Sequence, residues 1–209
     1  LRYEEHLTCP PRPSLHHYPT SQSWSCGIVD CRQSLLSSLR EGGYILYVRH
    51  AEATAGEDTP MLNFSDCSTQ RNLSNTGRNQ AAAYGQTLRR LRIPVSLPVF
   101  ASPFCRSRET AFLAFSEENV YTDPFWFHVY LLSADLSDYE KASIINSLTS
   151  RLELPPPEGT NTVIIAHSFP EGVGLGPISN MGTVVVKPLG EGNGFEVTGR
   201  LSLQEFMNL

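Results

Sequence analysis

The chain has 209 residues, 40% hydrophobic and 18% charged. This composition excludes a disordered or low-complexity polypeptide and suits one full hydrophobic core. A formal net charge of -5 argues against nucleic acid as the partner, and no apolar run approaches the roughly 18 residues that span a bilayer.

Residues 1–29 read as an irregular N-terminal extension. Cys9-Pro10-Pro11-Arg12-Pro13 is incompatible with helix, because each proline removes a donor and fixes its own φ. Leu1 in first position leaves room for a leader or tag removed ahead of it. Three of the five cysteines, Cys9, Cys26 and Cys31, fall in or next to this extension, and Cys67 and Cys105 follow later. An odd count leaves at least one thiol unpaired in a monomer. A disulfide near the N-terminus would accompany export, so the sequence leaves a cytoplasmic and an exported location both open. No Cys-x-x-Cys pair occurs and the histidines are scattered, so no metal site is expected.

A single domain is expected over residues 30–209. Asp30 is placed to cap a helix carrying Leu35, Leu36 and Leu39 on one face, with Gly42-Gly43 ending it. Tyr44-Ile45-Leu46-Tyr47-Val48 is a continuous apolar run, the pattern of a strand buried on both faces. A long loop runs from Glu52 to Asn72, and Ser74 or Asn75 starts a helix with Ala81, Tyr84, Leu88 and Leu91. Val99-Phe100-Ala101 is a short strand, 104–115 a helix and Val120-Tyr121 another short strand. A helix opens near Asp138 and buries Ile144, Ile145, Leu148 and Leu152 before the proline triplet at 155–157. Thr162 to Ala166 is a buried strand, and Thr183 to Val186 with Phe195 to Val197 form a closing pair. The alternation predicts an α/β fold: a three-layer sandwich whose mostly parallel central sheet carries helices on both faces.

In such sheets ligands sit beyond the carboxyl ends of the strands. Three expected strand ends carry polar groups: Arg49-His50, Ser102-Pro103 followed by Arg106 and Arg108, and His167-Ser168. Ser102 is expected to cap the helix that follows Pro103, whose first N–H groups would face an anion. Arginine binds phosphate through a planar fork. A histidine kept neutral by neighbouring arginines is a nucleophile toward phosphorus.

Leu46-Tyr47-Val48-Arg49-His50-Ala51-Glu52 resembles the Arg-His-Gly/Ala-Glu signature of the histidine phosphatase superfamily, the group that includes the phosphoglycerate mutases. Asn72-Leu73-Ser74-Asn75-Thr76-Gly77-Arg78-Asn79-Gln80-Ala81 resembles that family's next helix start. Ala101-Ser102-Pro103-Phe104-Cys105-Arg106-Ser107-Arg108-Glu109-Thr110-Ala111 resembles its Ser-Pro-x-x-Arg-x-x-x-Thr-Ala element, and Ile164-Ile165-Ala166-His167-Ser168 its second histidine strand. These motifs stand in the family's order over roughly residues 34–200.

The resemblance implies a phosphoglycerate mutase-like fold and a phosphatase that hydrolyses a phosphomonoester or a phosphoprotein without metal or cofactor. His50 would be phosphorylated, and Arg49, Arg106 and His167 would complete the phosphate pocket. The small bacterial phosphohistidine phosphatases and the lipopolysaccharide-core heptose phosphatases resemble this chain most, and Arg71 matches a basic position in them. Arg71 is thus a candidate substrate contact, with an ion pair to Asp66 as its structural alternative; Arg108 is a second candidate. The Glu-x-x-x-Gly-x-x-Glu-Gly setting of the family's usual general acid is missing: the region reads Leu131-Leu132-Ser133-Ala134-Asp135-Leu136-Ser137-Asp138. Asp135 and Glu52 are the candidate acids that remain. The alternatives are a catalytically weak phosphate-binding or interaction module on the same fold, and a cysteine-dependent phosphatase. The latter rests on the Cys-x5-Arg spacing from Cys26 to Arg32, which lacks a buried strand ahead of the cysteine.

Overall fold

A computed structural model describes residues 26–209, with side chains from Arg32 onward. Helix α1 (Cys26–Glu41) starts ahead of Asp30, which is an interior position and not a cap. No proline interrupts 26–30, so the helix propagates through them. It ends at Gly42 and Gly43, whose φ angles of 86° and 92° suit residues without a Cβ.

Strand β1 (Ile45–Arg49) leads through a long loop to α2 (Asn75–Leu91), β2 (Val99–Ala101), α3 (Cys105–Phe115) and β3 (Val120–Thr122). Helices α4 (Trp126–Leu131) and α5 (Asp138–Leu152) precede β4 (Thr162–Ala166), and β5 (Thr183–Pro188), β6 (Phe195–Leu201) and α6 (Leu203–Met207) close the chain. The strands form one six-stranded sheet in the order β3-β2-β4-β1-β5-β6. The first four are parallel to one another, while β5 runs antiparallel to both β1 and β6. The sheet is therefore mixed, and its parallel part is the one that carries the polar strand ends.

Alternation along β1 divides the core. Leu46 and Val48 face a layer that includes Leu39 of α1, Leu88 of α2, Ala111 of α3 and Phe206 of α6. Ile45 and Tyr47 face the other layer, with Trp126 of α4 and Leu148 and Leu152 of α5. Two buried faces explain why the strand is apolar throughout. Among the described residues, no helix is long and apolar enough to cross a membrane.

Packing of α2 sets the direction of the chain after β1. Ser74 caps it, accepting from the Gly77 N–H at 2.9 Å. A Cβ on Gly77 would stand 2.1 Å from the carbonyl oxygen of Glu52, so only glycine lets the helix start lie against that backbone.

Candidate active site

Parallel pairing brings the polar strand ends together. Arg49 is in register with Ala166, and Ala101 with Ile165. The ladder runs on past the strands: the His50 N–H donates to Ala166 O at 2.9 Å and the Ser102 N–H to Ile165 O at 2.9 Å. With β4 between β1 and β2, this register leaves His50, His167 and Ser102 side by side at the carboxyl edge.

Both imidazoles are buried, at 5% and 4% exposure, with ring centroids 5.5 Å apart and nearly perpendicular. His50 Nδ1 lies 2.7 Å from the carbonyl oxygen of Ala51, and that contact requires the proton on Nδ1. Nε2 then carries the unprotonated lone pair, and Arg106 Nε donates to it at 3.2 Å. Burial first, then the charge of Arg106, push the His50 pKa down to about 3, against the Ala51 hydrogen bond; Arg49 and Arg71 add to the lowering. His167 is also held well below its ordinary value, by burial, then by His50, Arg106 and Arg49. Tyr47 positions it from below, its hydroxyl donating to the His167 carbonyl at 2.8 Å. Ser102 Oγ and His167 Nε2 share a 2.8 Å hydrogen bond.

Ser102 therefore does not cap α3 as expected. Phe104 stands at the capping position with no side-chain hydrogen bond. The Cys105 N–H donates at 2.9 Å to Oε1 of the buried Gln70, so this first donor of the helix is already engaged.

Arg106 is 3% exposed in its side chain and lies over the Phe104 ring, 4.1 Å from the centroid. Arg49 is half-buried and donates from Nη1 to Ile178 O at 2.8 Å, which fixes it beside the cluster. Burial leads the lowering of its pKa, followed by the charges of Arg71 and Arg106. Arg71 Nε donates to Thr54 O at 3.1 Å. Its expected alternative partner, Asp66, instead caps a short 3-10 turn by accepting from the Ser68 N–H and hydroxyl.

The structure does not bring the other candidates into the cluster. Asp135 is exposed between α4 and α5, with no hydrogen bond or ion pair to it among the described residues. Glu52 Oε1 accepts from the Ser74 hydroxyl at 2.6 Å and so belongs to the start of α2. Arg108 Nη2 lies 3.5 Å from Cys105 Sγ and lines a separate surface pocket with Cys67, Arg78 and Glu109. The side chains of Cys26 and Cys31, and all of Cys9, lie outside the described residues.

Two features of the 53–72 loop were not expected from the sequence. Cys67 forms a disulfide with Cys105, the residue before Arg106, with a Cα–Cα distance of 5.7 Å. Asp58, 8% exposed in its side chain, grips the end of the Arg106 guanidinium: Nη1 donates to Oδ1 at 2.8 Å and Nη2 to Oδ2 at 3.1 Å. The Arg71 N–H donates to Oδ1 at 2.9 Å and the Tyr130 hydroxyl to Oδ2 at 3.2 Å. No local spacing announces this pair; Asp58 is one of three acidic residues in the loop, with Glu57 and Asp66, and nothing in the sequence singles it out.

Comparison with known proteins agrees with this architecture. The profile of the Histidine phosphatase superfamily (branch 1) matches residues 45–126. A proposed alpha-ribazole-5'-P phosphatase from Escherichia coli K-12 shares the fold, with a TM-score of 0.51 and 16% identity over 78% of this chain and 98% of that one. Also similar are a proposed phosphohistidine phosphatase from Agrobacterium tumefaciens (TM-score 0.46, 13% identity, 77% and 98% covered) and a phosphoserine phosphatase from Entamoeba histolytica in complex with 3-phosphoglyceric acid (0.48, 13%, 78% and 98%). No curated protein matches the chain. The profile match spans β1 to the first residue of α4, the stretch that supplies Arg49, His50 and Arg106, so this part of the chain is similar to the histidine phosphatase superfamily, branch 1.

Proposed function

We propose that this protein hydrolyses a phosphomonoester, on a small molecule or a protein, through a phosphohistidine formed on His50. The observation that carries this reading is the Nε2 lone pair of His50, freed by the Nδ1 contact to Ala51 and facing Arg106 at 3.2 Å. In-line attack by Nε2 transfers the phosphoryl group, Arg49 and Arg106 neutralise charge on its oxygens, and the neutral His167 completes the pocket. Water then attacks phosphorus and releases inorganic phosphate. Arg71, whose charge acts on Arg49, His50 and Arg106, adds to the cationic field at the mouth.

Brief mixing with labelled 4-nitrophenyl phosphate, followed by quenching in base, is expected to trap acid-labile phosphate on the wild-type protein and none on His50→Ala. Replacing Cys26 with Ser should leave the label in place. Turnover that survives in H50A and dies in C26S would overturn the assignment. The carboxylate that already fills the Arg106 fork favours one second reading, a phosphate-binding module of low turnover. Phosphate binding without any trapped label would select it.

A further inference from the structure

We propose that Asp58 is the proton donor to the leaving group, and that it reaches this role by exchanging its seat in the Arg106 fork with the phosphoryl oxygens of the substrate. The inference rests on the reading of His50 as nucleophile. The two end nitrogens of Arg106 donate to the two oxygens of Asp58 at 2.8 and 3.1 Å. A phosphoryl group presents two oxygens of the same charge and a similar spacing. Arg106 Nε is meanwhile directed at His50 Nε2, so a group that takes the fork sits next to the nucleophile.

Asp58 suits the exchange in three ways. It belongs to irregular backbone, where a shift of the carboxylate disrupts no helix or strand. Its other contacts, from the Arg71 N–H and the Tyr130 hydroxyl, do not depend on Arg106 and keep the carboxylate near it once it yields the fork. Among the described residues it is also the one carboxylate paired with Arg106, while Asp135 is exposed and Glu52 is tied to Ser74.

The electrostatics then set its protonation. Burial raises the Asp58 pKa and is the largest influence, yet hydrogen bonds from Arg106 and Arg71, with the Arg106 charge, hold it below its ordinary value. When phosphate takes the guanidinium, the Arg106 contribution is lost and burial remains. The anion beside it pushes in the same direction. The proton carried by a monoanionic ester passes to the Asp58 carboxylate. As the bond from His50 Nε2 to phosphorus forms and the ester P–O bond breaks, Asp58 returns that proton to the departing alkoxide. In the second half-reaction a water oxygen bonds to phosphorus, the N–P bond breaks, and the Asp58 carboxylate takes the water proton. Inorganic phosphate takes that proton from Asp58 and leaves as the monoanion, and the regenerated carboxylate closes on Arg106 again.

The test compares esters that differ in their need for a proton. In Asp58→Asn, turnover of an alkyl phosphate is expected to fall about 100-fold further than turnover of 4-nitrophenyl phosphate. Inorganic phosphate should also inhibit more tightly, because no carboxylate competes for the fork. Equal losses on both esters, or none, overturn the proposal. A separate measurement uses the wild-type protein and does not depend on the variant folding: binding of inorganic phosphate should raise a protonated-carboxyl band in the infrared difference spectrum that ordinary carboxylate does not give. No such band would reject the exchange. Failure of the underlying reading is distinguishable, since then the wild type itself traps no base-stable label.

Discussion

His50 shows how a single residue couples chemistry to stability. Burial and the Arg106 charge hold it at about 3 in the folded protein, against about 6.5 in an unfolded chain. Between these values the unfolded chain binds a proton that the folded one refuses. Stability is therefore complete above about pH 6.5 and is lost as the pH falls toward 3. His167 is shifted the same way and adds to the loss. Replacing His50 with Gln is expected to flatten the fall in stability between about pH 6.5 and 4, by up to about 1.4 kcal/mol per pH unit. Urea unfolding at several pH values measures it, and parallel slopes for the two proteins would show that His50 is not held neutral by the fold. At this scale the motif histidines and arginines were legible in the sequence, because each directly follows or flanks an apolar run. Asp58 was not. Its pairing with Arg106 joins positions 48 apart through a loop of no regular pattern.

The 53–72 loop is the element that sets Asp58 against Arg106. Its footing is the bond between Cys67 and Cys105, which closes a sequence separation of 38 residues. Gln70 reinforces it, receiving the Cys105 N–H and donating from Nε2 to Asn63 O at 2.8 Å. Phe64 adds an apolar contact, 5.2 Å from Phe104 and 5.1 Å from Phe127 between ring centroids. Chain-entropy arguments put the worth of such a cross-link at about 2–4 kcal/mol. Cys67→Ala is expected to lower stability by that amount and to raise amide exchange selectively across 53–72, as read by mass spectrometry. Exchange that rises evenly through the sheet would show that the bond serves the whole fold and not the loop. Sequence alone counted five thiols and found no pairing, since connectivity follows from tertiary placement. The same limit hid α4, whose Trp-Phe-His-Val-Tyr-Leu run has no helical period. Helix α6 was missed as well, although Ser202 and Glu205 stand at the spacing of a capping box.

For the molecule as a whole, the sheet separates two tasks. The strands β1, β2 and β4 were legible to within a residue because burial on both faces makes them apolar throughout. The reach of β6 to Leu201 was not, because its alternation is broken by exposed residues and by the irregular register near Val185 and Val186. Arg49, His50, Arg106 and His167 gather at the carboxyl ends of the parallel strands, while the end of α5 packs at their starts. There Leu154 and Pro155 share a groove with Ile45 and Thr162, the first residues of β1 and β4. Leu152 lies just before them and is fully buried. Leu152→Ala leaves a cavity in this second layer and is expected to cost about 2–5 kcal/mol, measured by chemical denaturation. Because that cavity opens at the far end of the strands, turnover per folded molecule should hold at temperatures well below unfolding. A loss of kcat in fully folded L152A would mean that the position of His50 depends on the packing of α5, and that the two edges of the sheet are mechanically coupled.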